Sequence, residues 1–278
     1  MPISEYVLPG GWVRPEGIAF GPDNDFFSGS SADGTIFRCD LASPTAEIWL
    51  PAGTDGRTVA VGMALSTRSQ LVVCGGRTGL LFVYDVATRA LLSRRSVEGF
   101  LNDVWVVGNY AYATDSSQPV IWRFGLLSDA DPVAIRLPDA GPDAYLNGIV
   151  STADETALLV AAQGTEVLWR VELADGSARP IATDFAADGL LLIGNILIGV
   201  CHRGDTIEDA EFFLAALELA DGTRPATPIG EYTDPAFDTP TTLATDGKRL
   251  LIVNSQFARG SAAGPPFQVI GVELPFFH

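Results

Sequence analysis

Four polar residues, Glu16, Asn102, Asn147 and Asp188, each stand at the head of a short apolar run: PEGIAF, LNDVWV, LNGIVS and ADGLLL. They are two carboxylates and two carboxamides, all oxygen donors, with no thiol or imidazole among them. Hard divalent cations select such a set; calcium takes about six to eight oxygens and completes its shell with water or backbone carbonyls. Carboxylates brought together without Lys or Arg nearby repel one another, and a cation relieves that repulsion. Each residue also has a plain alternative. Glu16 can be a solvated strand-edge residue, and Asn102-Asp103 and Asn147-Gly148 are turn chemistry. Asp188-Gly189 is one Asp-Gly pair among several, the others beginning at 33, 55, 175, 221 and 246 and reading mostly as hairpin turns. Phase within a repeat sets the four apart.

The repeat is visible in the strands that must carry these residues. Twenty-nine glycines and eighteen prolines punctuate the chain, and short β-branched and aromatic runs between turn signals replace helical spacing. TIFRCDL (35–41), LLFVYDV (80–86) and VLWRVEL (167–173) share one pattern, and VIWRFGL (120–126) follows it loosely. Each is preceded by a small-residue strand (FFSGSS, LVVCGG, LVAAQG, AYATDSS), and that strand by an opening strand. Opening strands fall at Glu16, Gly62, Asn102, Asn147, Asp188 and Thr241, successive differences being 46, 40, 45, 41 and 53. Periods of about 40–50 residues with four short strands each describe propeller blades. Five units have a fourth strand, such as AEIWL (46–50), LLSRRSV (91–97) and PVAIRLP (132–138). The sixth has three, and SEYVLP (4–9) can supply its fourth, closing the ring without an open edge. The expectation is a six-bladed β-propeller, one domain over 1–278. In such a fold the opening strands line the central channel, so the four polar residues converge.

Composition bounds the partners. Seventeen Lys and Arg against thirty-four Asp and Glu leave a net charge of −17. That argues against nucleic acid and against an anionic membrane, both of which attract basic faces. A small-molecule substrate or a bound cation suits it better. Cys39, Cys74 and Cys201 lie far apart and do not read as a disulfide framework. The start lacks the basic and apolar regions of a secretory signal, and no apolar stretch is long enough for a spanning helix. A soluble cytoplasmic protein is expected, and a monomer, since a closed propeller exposes no sheet edge.

The four segments, taken in order, resemble the blade-opening motifs of the senescence-marker-protein/gluconolactonase/luciferin-regenerating-enzyme family. Its members are six-bladed propellers with one calcium-type site in the channel, related to paraoxonases and strictosidine-synthase-like proteins. The resemblance implies that Glu16, Asn147 and Asp188 are metal ligands and that Asn102 lies beside the open coordination position, touching substrate. It implies a lactonase in which the metal polarises the lactone carbonyl and Asp188 doubles as base. Calcium is the expected metal; zinc, manganese and magnesium suit the same oxygens. The chain departs from the family pattern at four places. Phe100 replaces a substrate-gripping arginine, Leu146 and Ala187 replace prolines, and the first motif reads Glu-Gly-Ile at 16–18. Losing the arginine leaves an apolar wall and disfavours sugar lactones.

Several other residues bear on the site. On a regular strand Asp103 points away from the channel and is structural, and Asp115 serves either the channel or a blade hydrogen bond. His202 closes a second strand on the loop side and can donate a proton or lie on the surface; His278 is terminal. Cys74 and Cys201 read as buried small hydrophobes. Among Phe100, Phe212, Phe213, Phe257 and Phe267, most belong between blades, with Phe100 and Phe257 assigned to the pocket. The loop ARGSAAGPP after Phe257 can cover a ligand or be flexible. The leading reading is a metal-dependent lactone or ester hydrolase. Beside it stand a condensing or cyclising enzyme of strictosidine-synthase type and a non-catalytic binding propeller whose cation is structural.

Overall fold

Second strands are deeply buried in these sheets. Asp25–Ser30 and Ala157–Ala162 are buried at every residue, whereas the outer strand Leu91–Ser96 alternates half-buried and exposed. Strands packed on both faces need apolar side chains on both, while an outer strand needs them on one. A computed structural model of the chain describes residues 3–204, 206–220 and 225–276. In it the strands form six four-stranded antiparallel sheets arranged as propeller blades. Blades one to five are continuous in sequence, opening at Pro15–Phe20, Met63–Leu65, Leu101–Val107, Leu146–Ser151 and Ala187–Ile193. The opening strand of the sixth is Pro240–Thr245, and neighbouring opening strands touch around a closed ring. Among the described residues no helix is long and apolar enough to cross a membrane.

The core is divided into six clusters, each at a seam between adjacent blades. Phe27, Trp49, Phe82 and Tyr84 fill the seam of blades one and two, with Phe27 and Trp49 packed edge to face at 5.1 Å. Arg57 is buried in the same region and donates to the carbonyls of Gly34 and Pro51 and to the Tyr84 hydroxyl. A buried guanidinium with several acceptors ties loops of the two blades without leaving an unsatisfied charge.

Closure follows the expected route. Glu5–Leu8 pairs antiparallel with Phe267–Glu273, Glu5 opposite Ile270 and Leu8 opposite Phe267, and completes the sixth blade. Tyr6 is fully buried at this seam, its ring 5.3 Å from Phe26 and its hydroxyl taking a hydrogen bond from Arg249. Removing a large buried aromatic costs about 3–5 kcal/mol through lost transfer energy and the cavity left behind. Tyr6→Ala is therefore expected to lower unfolding stability by about that amount in urea titration, and a loss under about 1 kcal/mol would show that the closing strand contributes little.

Candidate functional site

The opening strands are interrupted where the polar motifs lie. Pairing with the second strand slips between Pro15 and Ile18, Leu101 and Val104, Leu146 and Ile149, Ala187 and Leu190, and Pro240 and Leu243. Each slip is a bulge that removes two residues from the ladder and turns their groups toward the channel. The carbonyls set free are held by the neighbouring blade. Thr241 Oγ1 donates to Glu16 O at 2.8 Å, Gly62 N to Asn102 O at 2.9 Å, and Thr114 Oγ1 to Asn147 O at 2.8 Å. The glycines of the motifs are required by contact between blades, not by turns. A Cβ on Gly148 would lie 2.3 Å from Asp188 O, and one on Gly17 would lie 2.2 Å from Val61 O.

Seven residues singled out in the sequence, Glu16, Phe100, Asn102, Asn147, Asp188, His202 and Phe257, line one cavity of about 520 Å³ at the end of the channel. Glu16 is only 9% exposed, so it is not a solvated edge residue. Asn102 and Asn147 are buried, and each spends an amide N–H on a neighbour. Asn102 Nδ2 donates to Ser116 Oγ at 2.9 Å, and Asn147 Nδ2 to Gln163 Oε1 at 3.0 Å. Those bonds fix the amide orientation and leave the carbonyl oxygens available to a ligand.

Charge is concentrated here without compensation. Burial, then the nearby Asp188 and Asp103 carboxylates, holds Glu16 well above the usual carboxylate range. Asp188 is likewise raised by burial and by Asp103, partly offset by a hydrogen bond from Asn147. Asp103 is pushed up to about 7, burial outweighing the hydrogen bonds it accepts from Val104 N and Ile149 N. Its tie to Ile149 joins the third and fourth blades, so its role is structural even though the strand is bulged rather than regular. Among the described residues no three His, Cys, Asp or Glu side chains form a metal-binding group; the third donor beside Glu16 and Asp188 is the Asn147 carboxamide. Two buried carboxylates and an amide, with no paired Lys or Arg, fit a hard divalent cation.

The walls are apolar, made by Val59, Val61, Phe100, Val200, Ile207, Phe212 and Phe257. Phe212 belongs here, 6.1 Å from His202, whereas Phe213 and Phe267 fill seams. Burial holds the His202 imidazole below its usual range, against the pull of Glu166. Asp115 is fully buried and belongs to its blade. It accepts from Phe100 N, Ser117 N, Gln118 Nε2 and Trp122 Nε1, which keep it ionised despite burial. All three thiols are buried and pushed up by desolvation, which removes nucleophilic character. The loop after Phe257 is tied down rather than loose. Residues Phe257–Ala262 form a 3-10 turn, Arg14 Nη2 donates to Gly260 O at 2.6 Å, and Arg259 pairs with Asp238 at 2.7 Å. His278 and the Asp-Gly pair at 221 lie outside the described residues.

Among the cavity residues not singled out from the sequence, Arg77 and Tyr145 bear most on its chemistry. Arg77 lies 4.7 Å above the Phe100 ring, so that wall is not purely apolar as expected. Tyr145 packs edge-on to Phe100 at 6.2 Å with a left-handed backbone, φ 45°. A usable signal existed. Starts of opening strands and ends of second strands share one face, as Leu101 opposite Asp115 and Ala187 opposite Cys201 show. Arg77 follows a second strand and Tyr145 precedes an opening one.

No family model matches the chain, and no curated protein sequence matches it. Solved structures do resemble it. A virginiamycin B lyase from Staphylococcus aureus aligns over 97% of this chain and 98% of its own, at 13% identity and a TM-score of 0.68. A gluconolactonase from Xanthomonas campestris aligns over 98% and 89%, at 16% identity and 0.67. Regucalcin from Agrobacterium tumefaciens, a calcium-binding protein, aligns over 98% and 97%, at 16% identity and 0.64. At such identities the likeness is one of fold.

The raised carboxyls set a pH dependence. A native pKa above the unfolded value means the folded state keeps protons that the unfolded state has released, so stability falls as pH rises through that window. In chelator, the melting temperature is expected to fall between about pH 4 and pH 8, and added calcium to raise it more at pH 8 than at pH 5. Calcium stabilisation equal at both pH values would count against Glu16 and Asp188 as ligands.

Proposed function

We propose that this propeller is a metal-dependent hydrolase of a lactone or related ester, with a small, apolar-leaning substrate. The observation that carries the reading is the convergence of Glu16, Asn147 and Asp188 at the base of an apolar cavity with no protein cation to neutralise them. The motif resemblance supports it, as do structural neighbours described as a gluconolactonase and a calcium-binding protein. Glu16, Asn147 and Asp188 would hold a divalent cation, calcium first among the choices, which would supply Lewis acidity toward a carbonyl and make water more acidic.

The chain's own residues do the rest. Asn102, one N–H pinned by Ser116, offers its second N–H and its carbonyl to the substrate. Asp188 accepts a proton from the attacking water. The acyl C–O bond breaks, and that proton passes to the departing oxygen, giving a hydroxy acid from a lactone. Neutral His202 contacts the substrate as a hydrogen-bonding partner, and Phe100 and Phe257 exclude water from the reacting end.

Asp188→Asn keeps the side-chain shape and removes the base. Turnover of a lactone panel is expected to fall by roughly 10²–10⁴, and Glu16→Gln to weaken calcium binding measured by calorimetry. Undiminished turnover in a folded, metal-free Asp188→Ala protein would refute the reading. A second reading, a non-hydrolytic cyclising or eliminating enzyme, is favoured by the apolar walls and by the neighbour described as a lyase. Product mass separates the two, because hydrolysis adds one water and cyclisation adds none.

A further inference from the structure

Arg77 is the one Lys or Arg among the residues lining the channel cavity. It is exposed, in the turn joining the strands Gln70–Cys74 and Leu80–Asp85. Among the described residues, Arg38, Arg89, Arg95, Arg170, Arg203, Arg249 and Arg259 all pair with carboxylates, and Arg77 is in no such pair. Arg14 and Arg123 likewise lie over aromatic rings without a carboxylate pair among the described residues; Arg77 differs from them in lining the cavity itself. Its guanidinium lies 4.7 Å from the Phe100 ring centroid. A guanidinium over a ring has its place set by the stack, while its N–H edges stay free for a planar anion.

Tyr145 also packs on Phe100, the two rings at 86°. Tyr145 and Arg77 line the same cavity as Glu16 and Asp188. Phe100 and Tyr145 thus offer flat apolar surface, and Arg77 a cation beside it.

We propose that Arg77 is a specificity-determining residue: with Phe100 and Tyr145 it forms a subsite selecting substrates that carry a carboxylate next to a flat apolar group. The inference rests on the cavity being the substrate site and names the substrate class of the proposed hydrolase. It corrects the expectation of a purely apolar wall, because the cation comes from the neighbouring blade rather than from position 100. Bidentate pairing with a carboxylate is directional and stronger than a neutral hydrogen bond, so charged and uncharged versions of one substrate are told apart here.

The test uses the full-length protein with calcium, a benzo-fused γ-lactone bearing a ring carboxylate, and its ring carboxamide as neutral counterpart. The ratio of kcat/KM for carboxylate over carboxamide is expected to fall roughly tenfold in Arg77→Met, less in Arg77→Lys, and to shrink in wild type as salt is raised. The ratio of dissociation constants, read by calorimetry, should fall in parallel. A ratio unchanged in Arg77→Met would overturn the proposal, showing that the arginine only packs on Phe100. So would failure of the carboxylate to bind wild type more tightly than the carboxamide. If wild type turns over neither lactone, the hydrolase reading falls, while the ratio of dissociation constants still decides the role of Arg77. Thermal melts confirm that both variants are folded.

Discussion

At the head of five opening strands the ladder to the second strand breaks for two residues, and carbonyls released there are taken up by the next blade. A backbone carbonyl buried without a partner would cost free energy comparable to a lost hydrogen bond. The bulges are tolerated because Thr241, Gly62 and Thr114 stand where the carbonyls emerge. One device therefore does two jobs. It ties adjacent blades at the axis, and it turns Glu16, Asn102, Asn147 and Asp188 into the channel instead of along their own sheets. The motif glycines serve the same arrangement, since opening strands this close leave no space for a Cβ at Gly17 or Gly148.

Electrostatics then makes the channel a site rather than a seam. Glu16 and Asp188 come from different blades, and each is raised by burial and by nearby carboxylates, Asp103 among them. Asp115, equally buried, is held ionised by backbone and side-chain donors and plays no part in the cavity. The contrast separates a carboxylate that the blade has satisfied from carboxylates left for a ligand. Asn102 and Asn147, their amides oriented by hydrogen bonds inside the protein, add oxygens to the same end.

The rim differs from the base in kind. Apolar side chains from four blades form walls that exclude water, and one cation, Arg77, enters from the turn after a second strand. The segment Phe257–Ala262, whose Phe257 lines the cavity, is anchored by Arg14 and by the Arg259–Asp238 pair. Negative base, apolar walls and a cationic rim suit a ligand that is itself polar at both ends and flat between them.

Much of this was legible in the residue order. The phased repeat announced six blades, and the apolar run SEYVLP without a sheet of its own announced the closing strand, because side-chain periodicity and turn chemistry are local properties of a chain. The positions of Glu16, Asn102, Asn147 and Asp188 in that phase were enough to place them on one axis. The bulges were not legible, since Asn-Gly and Asp-Gly read equally well as hairpin turns until a neighbouring blade presses against them. Nor was the arginine over Phe100, which comes from the adjacent blade, 23 residues earlier in the chain (100 − 77). Sequence by itself determined which residues head each opening strand. Only the tertiary structure decided which way they face, how far their charges are uncompensated and what stands across from them, because those depend on contacts between blades that no single stretch of chain contains.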